Sequence, residues 1–393
     1  MWRPAEIIIH RGVQDDAVTR YILEQCPGVP ARIVESGRAA AVVAASALLG
    51  DLKARPDTGL LDIVRAGKKV LYISPSGPGT VDRFLMPDHR FQCPDFDRLK
   101  LAANGCFYQC DWCYLKLTYR AAFPFITVYA DYDRIKERIA ARLAKTGEIV
   151  FFNSGELADS LAMEHLTRAG RAFVPWFGRT ANGYLFMLTK SDNVDGLLDL
   201  AHNRHTVLAW SLNNAEVSRR YEIGAPPLHR RLSAAARAQA AGYPIRLRID
   251  PILPFDGWQA AYRQTVDQIF DQVRPERITL GTLRFEKQFY QMRHSIFATG
   301  RALLPLVERM TPMFEPRTET VGGKVRTSVG KYSFPEETRV ALFDFLVGAI
   351  RRHSDCPIAL CKESADVWRR TGLDLTKNGC VCQYGFVNME TGV

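Results

Sequence analysis

Leu101-Ala102-Ala103-Asn104-Gly105-Cys106-Phe107-Tyr108-Gln109-Cys110-Asp111-Trp112-Cys113-Tyr114 is the stretch on which the reading of this chain turns, because it sets three thiols at the spacing Cys-x3-Cys-x2-Cys. A loop of that length can turn all three sulfurs inward onto one cubane. Three thiolates hold three irons of a [4Fe-4S] cluster, whereas an electron-carrying cluster normally takes a fourth cysteine. The fourth iron is then open to a ligand. Two plainer readings of the same residues are a structural zinc site, which would want a fourth Cys or His nearby, and three thiols that are simply buried.

Outward from this loop, short β-rich runs alternate with longer helical patterns, the signature of strand-helix units around a parallel sheet. The strand candidates are 98–103, 149–153, 184–190, 206–212, 244–250 and 277–281. Six units with the cysteine loop directly after the first predict an α/β fold, a partial (βα)6 TIM-type barrel with its chemistry at the C-terminal strand ends. A doubly wound open sheet satisfies the same pattern. Before the barrel, an N-terminal α/β region over 1–97 carries strand candidates at 6–10 and 69–74 and a helix at 15–25. It ends in a stretch holding Pro87 and Pro94, read as a boundary. The barrel is expected over 98–285. A C-terminal region over 286–393 has helical patterns at 302–310 and 336–352, a short strand at 357–360, and a Cys-containing tail.

The apolar fraction of 47% over 393 residues permits a substantial core. The first residues lack the basic segment, apolar segment and cleavage site of a secretory signal. The longest nearly uncharged apolar run, 39–49, is well short of the roughly 20 residues of a membrane span. Nine cysteines, an odd number and unevenly clustered, favour metal binding over a disulfide framework and fit a reducing cytoplasm. A net charge of +10 would help approach to nucleic acid, although the basic residues are scattered along helices where solvated faces also explain them.

An open iron can chelate the amino and carboxylate groups of S-adenosyl-L-methionine (SAM) and deliver an electron to its sulfonium. Cleavage of a C–S bond then leaves a carbon radical, with the protein supplying placement and exclusion of water. The motif, with Trp112 between the second and third cysteines, resembles the radical SAM superfamily. Further matches in order resemble its spore photoproduct lyase family, which repairs a UV-induced thymine dimer in spore DNA. They are Cys113-Tyr114-Leu115, Ile126-Thr127-Val128-Tyr129, Glu164-His165-Leu166-Thr167, Leu188-Thr189-Lys190, Ser211-Leu212-Asn213, Asp250-Pro251-Ile252 with Gly257-Trp258, and Gly330-Lys331-Tyr332. The resemblance implies that Cys106, Cys110 and Cys113 hold the cluster, that Lys190 pairs with the SAM carboxylate, and that Ser211 and Asn213 bond its polar groups. A strand-end lysine in solvent and polar side chains satisfying nearby backbone are the plainer readings.

The chain departs from that family at one position. Alignment on Asp159 and His165-Leu166-Thr167 puts Glu156 where the repair enzymes carry a cysteine that donates a hydrogen atom. A carboxyl O–H bond is too strong to take over that step. Glu156 is instead expected to bind the polar end of SAM or a substrate cation, to act as a base, or to pair with an arginine. Trp112 stands where one of two assisting tyrosines is expected; Tyr114 keeps the other position, as a packed neighbour of the cluster or a radical relay.

Cys380 and Cys382 in the tail, with Cys361 before them, offer soft ligands for zinc, copper(I), a second cluster or a thiophilic metalloid, or a redox pair. If they reach the cluster, the chain looks like the enzymes proposed to transfer the 3-amino-3-carboxypropyl arm of SAM to trivalent arsenic in arsinothricin-type synthesis. The expected function is thus radical SAM chemistry on a small or thiophilic substrate, driven by a reductase such as flavodoxin or ferredoxin. DNA repair and a non-catalytic iron-sulfur protein are the other readings.

Overall fold

The computed structural model describes residues 2–55, 57–86, 88–104, 106–118, 122–297, 303–321, 324–374 and 379–383. Pro87, Gly105 and the start of the helical pattern at 302 lie outside the described residues.

Ile7-Ile8-Ile9 and Val70-Leu71-Tyr72-Ile73 are unbroken apolar runs, a pattern that is stable only where both faces of a strand are covered. They form β1 (Glu6–His10) and β3 (Val70–Ser74), joined in parallel. β2 (Ala31–Val34) flanks β1 on the other side. On its far edge this five-stranded sheet is completed by β7 (Ile126–Tyr129) and then by β6 (Ala102–Ala103). The N-terminal region expected over 1–97 therefore shares its sheet with the strands on either side of the cysteine loop.

The second sheet has eight strands. β4 (Val81–Phe84) is antiparallel to β5 (Phe96–Leu99) at one edge. From β5 onward, β8 (Val150–Asn153), β9 (Gly183–Thr189), β10 (Thr206–Leu212), β11 (Ile245–Ile252) and β12 (Arg277–Thr282) run parallel. The short strand predicted at 357–360 is β18 (Ile358–Leu360), and it adds in parallel to β12, so the C-terminal region supplies a seventh parallel strand. The hairpin strands β15 (Arg317–Val321) and β16 (Lys324–Ser328), and the small sheet of β13 (Arg284–Glu286), β14 (Thr311–Pro312) and β17 (Lys331–Ser333), carried no clear alternation and were not expected.

One expected strand divides. Residues 98–103 are not one barrel strand but the end of β5 and the whole of β6, in different sheets. Between them Lys100 turns aside to pair with Asp82 at 2.9 Å, which interrupts the inward apolar positions. The cysteine loop consequently springs from the junction of the two sheets.

Along β11 the alternation has two consequences. Ile245, Leu247 and Ile249 join the main core under the helices Leu228–Ala240 and Trp258–Gln272. Arg246, Arg248 and Asp250 fall on the opposite, inner face. A polar interior must satisfy its own groups, and the chain does so with its C-terminal segment. Arg277 Nη1 donates to the carbonyls of Gly379 (2.7 Å) and Cys380 (2.9 Å), and Arg246 Nη1 to those of Val381 (2.7 Å) and Gln383 (2.6 Å). Val381 packs on Phe151, Phe186, Val207 and Ala209. The tail thus plugs the barrel interior.

Arg277→Met should leave those two carbonyls buried without a donor and cost about 2–4 kcal/mol. Urea unfolding reads the loss, and limited proteolysis should release the C-terminal segment first; an unchanged midpoint would show that the clamp contributes nothing.

Candidate active site

The cysteine loop is braced from both sides. Asn104 takes the left-handed conformation (φ 49°), which Asn tolerates better than most residues. Its carbonyl and side-chain oxygen accept from the buried ammonium of Lys68 at 3.1 and 2.9 Å. On the other side, Gln109 N donates to Ile223 O and Asp111 N to Tyr221 O, each at 2.8 Å, tying the loop to the turn after the helix Ala215–Tyr221. Trp112 leans on the ring of Tyr221, 5.8 Å between centroids. Cys106, Cys110 and Cys113 pack with Tyr108, Ala162 and Ala225.

Burial pushes the Cys106 thiol well above its ordinary range and the Cys110 thiol up to about 12. Thiolates at this place therefore need strong positive compensation of the kind that iron provides. Among the described residues no three His, Cys, Asp or Glu side chains are gathered closely enough to hold one metal ion. A cubane, which takes one thiolate per iron, asks for a wider spacing than a single zinc and fits the three-thiol donor set.

Beside the loop stands the predicted lysine. Lys190 Nζ donates to Ser211 Oγ at 2.8 Å and lies 3.6 Å from Glu222 Oε1. Glu222, fully buried, also pairs with Arg231 at 2.5 Å, and Arg231 Nη1 donates to the Ser211 carbonyl at 3.0 Å. Burial opposes both charges, but Arg231 and Lys190 hold the Glu222 carboxyl below its usual range, and Glu222 in turn holds Lys190 above its own. Asp159 fixes the strand end by accepting from Lys190 N at 2.7 Å and Thr189 Oγ1 at 2.5 Å. Asn213 is different: it is fully buried and its amide is spent on Pro251 O, Tyr262 and Asn214 N. Glu222 and Arg231 were missed because on helical segments they read as solvated charges.

A second polar group continues from Ser211, whose Oγ donates to Asp250 O at 3.3 Å. The Asp250 carboxylate accepts from Arg248 Nε at 2.9 Å and from Arg284 Nη2 at 3.1 Å. Burial would raise it, yet Arg284 and Arg248 hold it down at about 2. Both guanidiniums also donate to Cys361 Sγ, at 2.6 Å from Arg248 and 3.0 Å from Arg284. Glu156 is half-buried on the loop after β8, its charge felt by Arg98 and Lys331. Gly155 lets that loop cross β9, since a Cβ there would meet Leu188 Cβ at 2.6 Å. Tyr114 is exposed and donates its hydroxyl to the Glu156 carbonyl.

The tail thiols lie deeper in the interior. Thr279 Oγ1 donates to Cys380 Sγ at 3.8 Å. A hydrogen bond from Cys382 holds the Cys380 thiol below its ordinary range, and the same bond with burial pushes Cys382 up. Cys361, Cys380 and Cys382 thus enter one interior without forming a three-ligand group.

A partial barrel with a three-cysteine loop and a lysine-serine pair at its mouth defines a radical SAM enzyme. The chain belongs to the spore photoproduct lyase family, whose family model matches residues 97–353 and whose cofactors are a [4Fe-4S] cluster and SAM. It is 27% identical over 248 residues to a spore photoproduct lyase of Bacillus subtilis (strain 168), spanning 62% of this chain and 70% of that one. With a spore photoproduct lyase of Geobacillus sp. (strain Y412MC61) it shares 32% over 185 residues, 47% of this chain and 53% of that one. A solved spore photoproduct lyase mutant with bound AdoMet and dinucleoside spore photoproduct superposes at a TM-score of 0.72 with 21% identity, covering 91% of this chain and 98% of that chain. That likeness establishes the fold.

Because the Asp250 carboxyl sits at about 2 in the folded protein against an ordinary 3.8, it contributes about 2 kcal/mol of stability above pH 4, lost as pH falls through 2. Asp250→Asn should remove this component. The stability gap between the two proteins in urea melts should be level above pH 5 and narrow below pH 4; a gap independent of pH would overturn the assignment.

Proposed function

We propose that Cys106, Cys110 and Cys113 hold three irons of the cluster and that Lys190 and Ser211 receive the polar end of SAM. The contact between Lys190 and Ser211 beside the cysteine loop is the observation that carries this reading. Asn213, turned inward, is a positioning residue that secures the strand end bearing Ser211. When bound, the cluster and SAM supply a carbon radical by one-electron cleavage of a sulfonium C–S bond. The chain's own residues do the rest: Glu222 keeps Lys190 charged, Arg231 holds the Ser211 backbone, and the plugged interior leaves the C-terminal strand ends as the approach to the radical.

The substrate reading that the site supports best is hydrogen abstraction from an anionic, nucleic-acid-like substrate carrying a pyrimidine lesion. Arg98 and Lys100, which share Asp82, Arg284, which pairs with Asp250, and Lys362 supply basic groups around the mouth for it, and family membership supports a lyase-type bond cleavage. Glu156 and Tyr114 line this mouth as substrate-positioning groups. A second reading, transfer of the aminocarboxypropyl arm to trivalent arsenic, is favoured by the guanidinium-bound Cys361. It needs three converging thiolates, and the described residues form no such group. A non-catalytic iron-sulfur protein would have no use for the Lys190 site. A flavodoxin- or ferredoxin-type reductase in a reducing cytoplasm would supply the electron.

Anaerobic reconstitution, reduction and addition of SAM should release 5'-deoxyadenosine, detected by mass spectrometry; 5'-methylthioadenosine would instead establish the arm-transfer reading. Lys190→Ala should weaken SAM binding about 10- to 100-fold, the loss of a charge-assisted hydrogen bond, with iron content unchanged. Normal SAM affinity would remove Lys190 from the site.

A further inference from the structure

Breaking a substrate bond by way of a carbon radical leaves a second carbon radical on the product, and that radical must take a hydrogen atom before release. A thiol S–H is weak enough to give one, whereas a carboxyl O–H is not. The loop after β8 offers the carboxyl of Glu156 to the mouth and no thiol. Outside the cysteine loop, the thiol fixed to the polar groups of the mouth is Cys361, immediately after β18.

Its placement is tightly specified. Cys361 N donates to Leu280 O at 2.8 Å, which continues the barrel ladder to the strand end. Its sulfur accepts from Arg248 at 2.6 Å and Arg284 at 3.0 Å, and both guanidiniums are anchored on Asp250. Asp250 accepts in turn from Ser211, the partner of Lys190. A continuous polar line thus runs from the proposed SAM site to this one sulfur. Across the mouth, Lys331 feels the charges of both Cys361 and Glu156. Both guanidiniums only donate, so the hydrogen of the sulfur is not engaged by them. Burial outweighs their pull and pushes the Cys361 thiol upward, keeping that hydrogen on sulfur near neutral pH.

We propose that Cys361 is the hydrogen-atom donor that closes the reaction, a role that rests on the hydrogen-abstraction reading above. The product carbon radical takes H from Cys361 S–H, forming a C–H bond and leaving a Cys361 thiyl radical. One electron from the low-potential one-electron carrier that also reduces the cluster, with one proton from water, restores S–H.

The test runs the reconstituted full-length enzyme on dinucleoside spore photoproduct in D2O and reads the product by mass spectrometry. A thiol exchanges its hydrogen with solvent, so the wild-type product should carry one deuterium. Cys361→Ser keeps an acceptor for both guanidiniums but has no S–H. It should still bind iron and SAM and consume SAM, with the yield of deuterated product per SAM consumed falling at least tenfold. An unlabelled wild-type product, a result that needs no variant, would overturn the proposal while leaving the hydrogen-abstraction reading standing, as would full labelling in Cys361→Ser. A wild-type enzyme that yields no repaired dinucleotide at all would overturn that reading, and the role of Cys361 with it.

Discussion

The buried carboxylate of Glu222 is the interaction on which the rest of the site depends. An ammonium at a barrel mouth lined by packed strands would lose much of its hydration, and burial alone would favour its neutral form. Glu222 reverses that balance for Lys190, and Arg231 neutralises the second half of Glu222 while bonding the Ser211 carbonyl. Two cations, one carboxylate and a hydroxyl are therefore held together with a net positive charge before any ligand arrives. Such a group favours placement over stability, because an apolar replacement would fold as readily but could not orient an ionic ligand.

The same logic governs the second polar group and the interior beneath it. Asp250 binds two guanidiniums, and what remains of their donor capacity is directed onto Cys361. Deeper in the barrel, Arg246 and Arg277 each turn Nη1 onto backbone carbonyls of the tail, and Arg246 also lies 3.6 Å from the Glu276 carboxylate. A tail used in this way fills the barrel interior from below. The loop itself belongs to neither sheet alone: it departs from β6, is supported by Lys68 from the N-terminal side, and is hydrogen-bonded to the turn at Tyr221 on the barrel side. Any shift between the two sheets would move the three thiols relative to Lys190, which ties the packing of the N-terminal sheet to the chemistry.

Much of this was legible from local pattern. The strand at 206–212 has the predicted bounds, and those at 149–153, 184–190, 244–250 and 277–281 differ from the folded strands by one or two residues at an end, because short apolar or alternating runs between turn signals leave little choice of element. The division of 98–103 between two sheets was not legible, since it depends on Asp82 capturing Lys100 from another strand. Asn213 looked like a ligand-binding amide by its motif, and only the position of Pro251 and Tyr262 turned it inward.

By itself the sequence determined the spacing of Cys106, Cys110 and Cys113, the order of strands and helices, and the absence of a cysteine at Glu156. These are properties of neighbours along the chain, where covalent connection sets the geometry. Only the tertiary structure decided that Arg248 and Cys361, 113 residues apart, meet at 2.6 Å. It also decided that Lys190 finds Ser211 and Glu222, and that the tail fills the barrel from within. Such contacts depend on the register of seven parallel strands and on the burial of charges that each look solvated when read alone, information that no local window of residues contains.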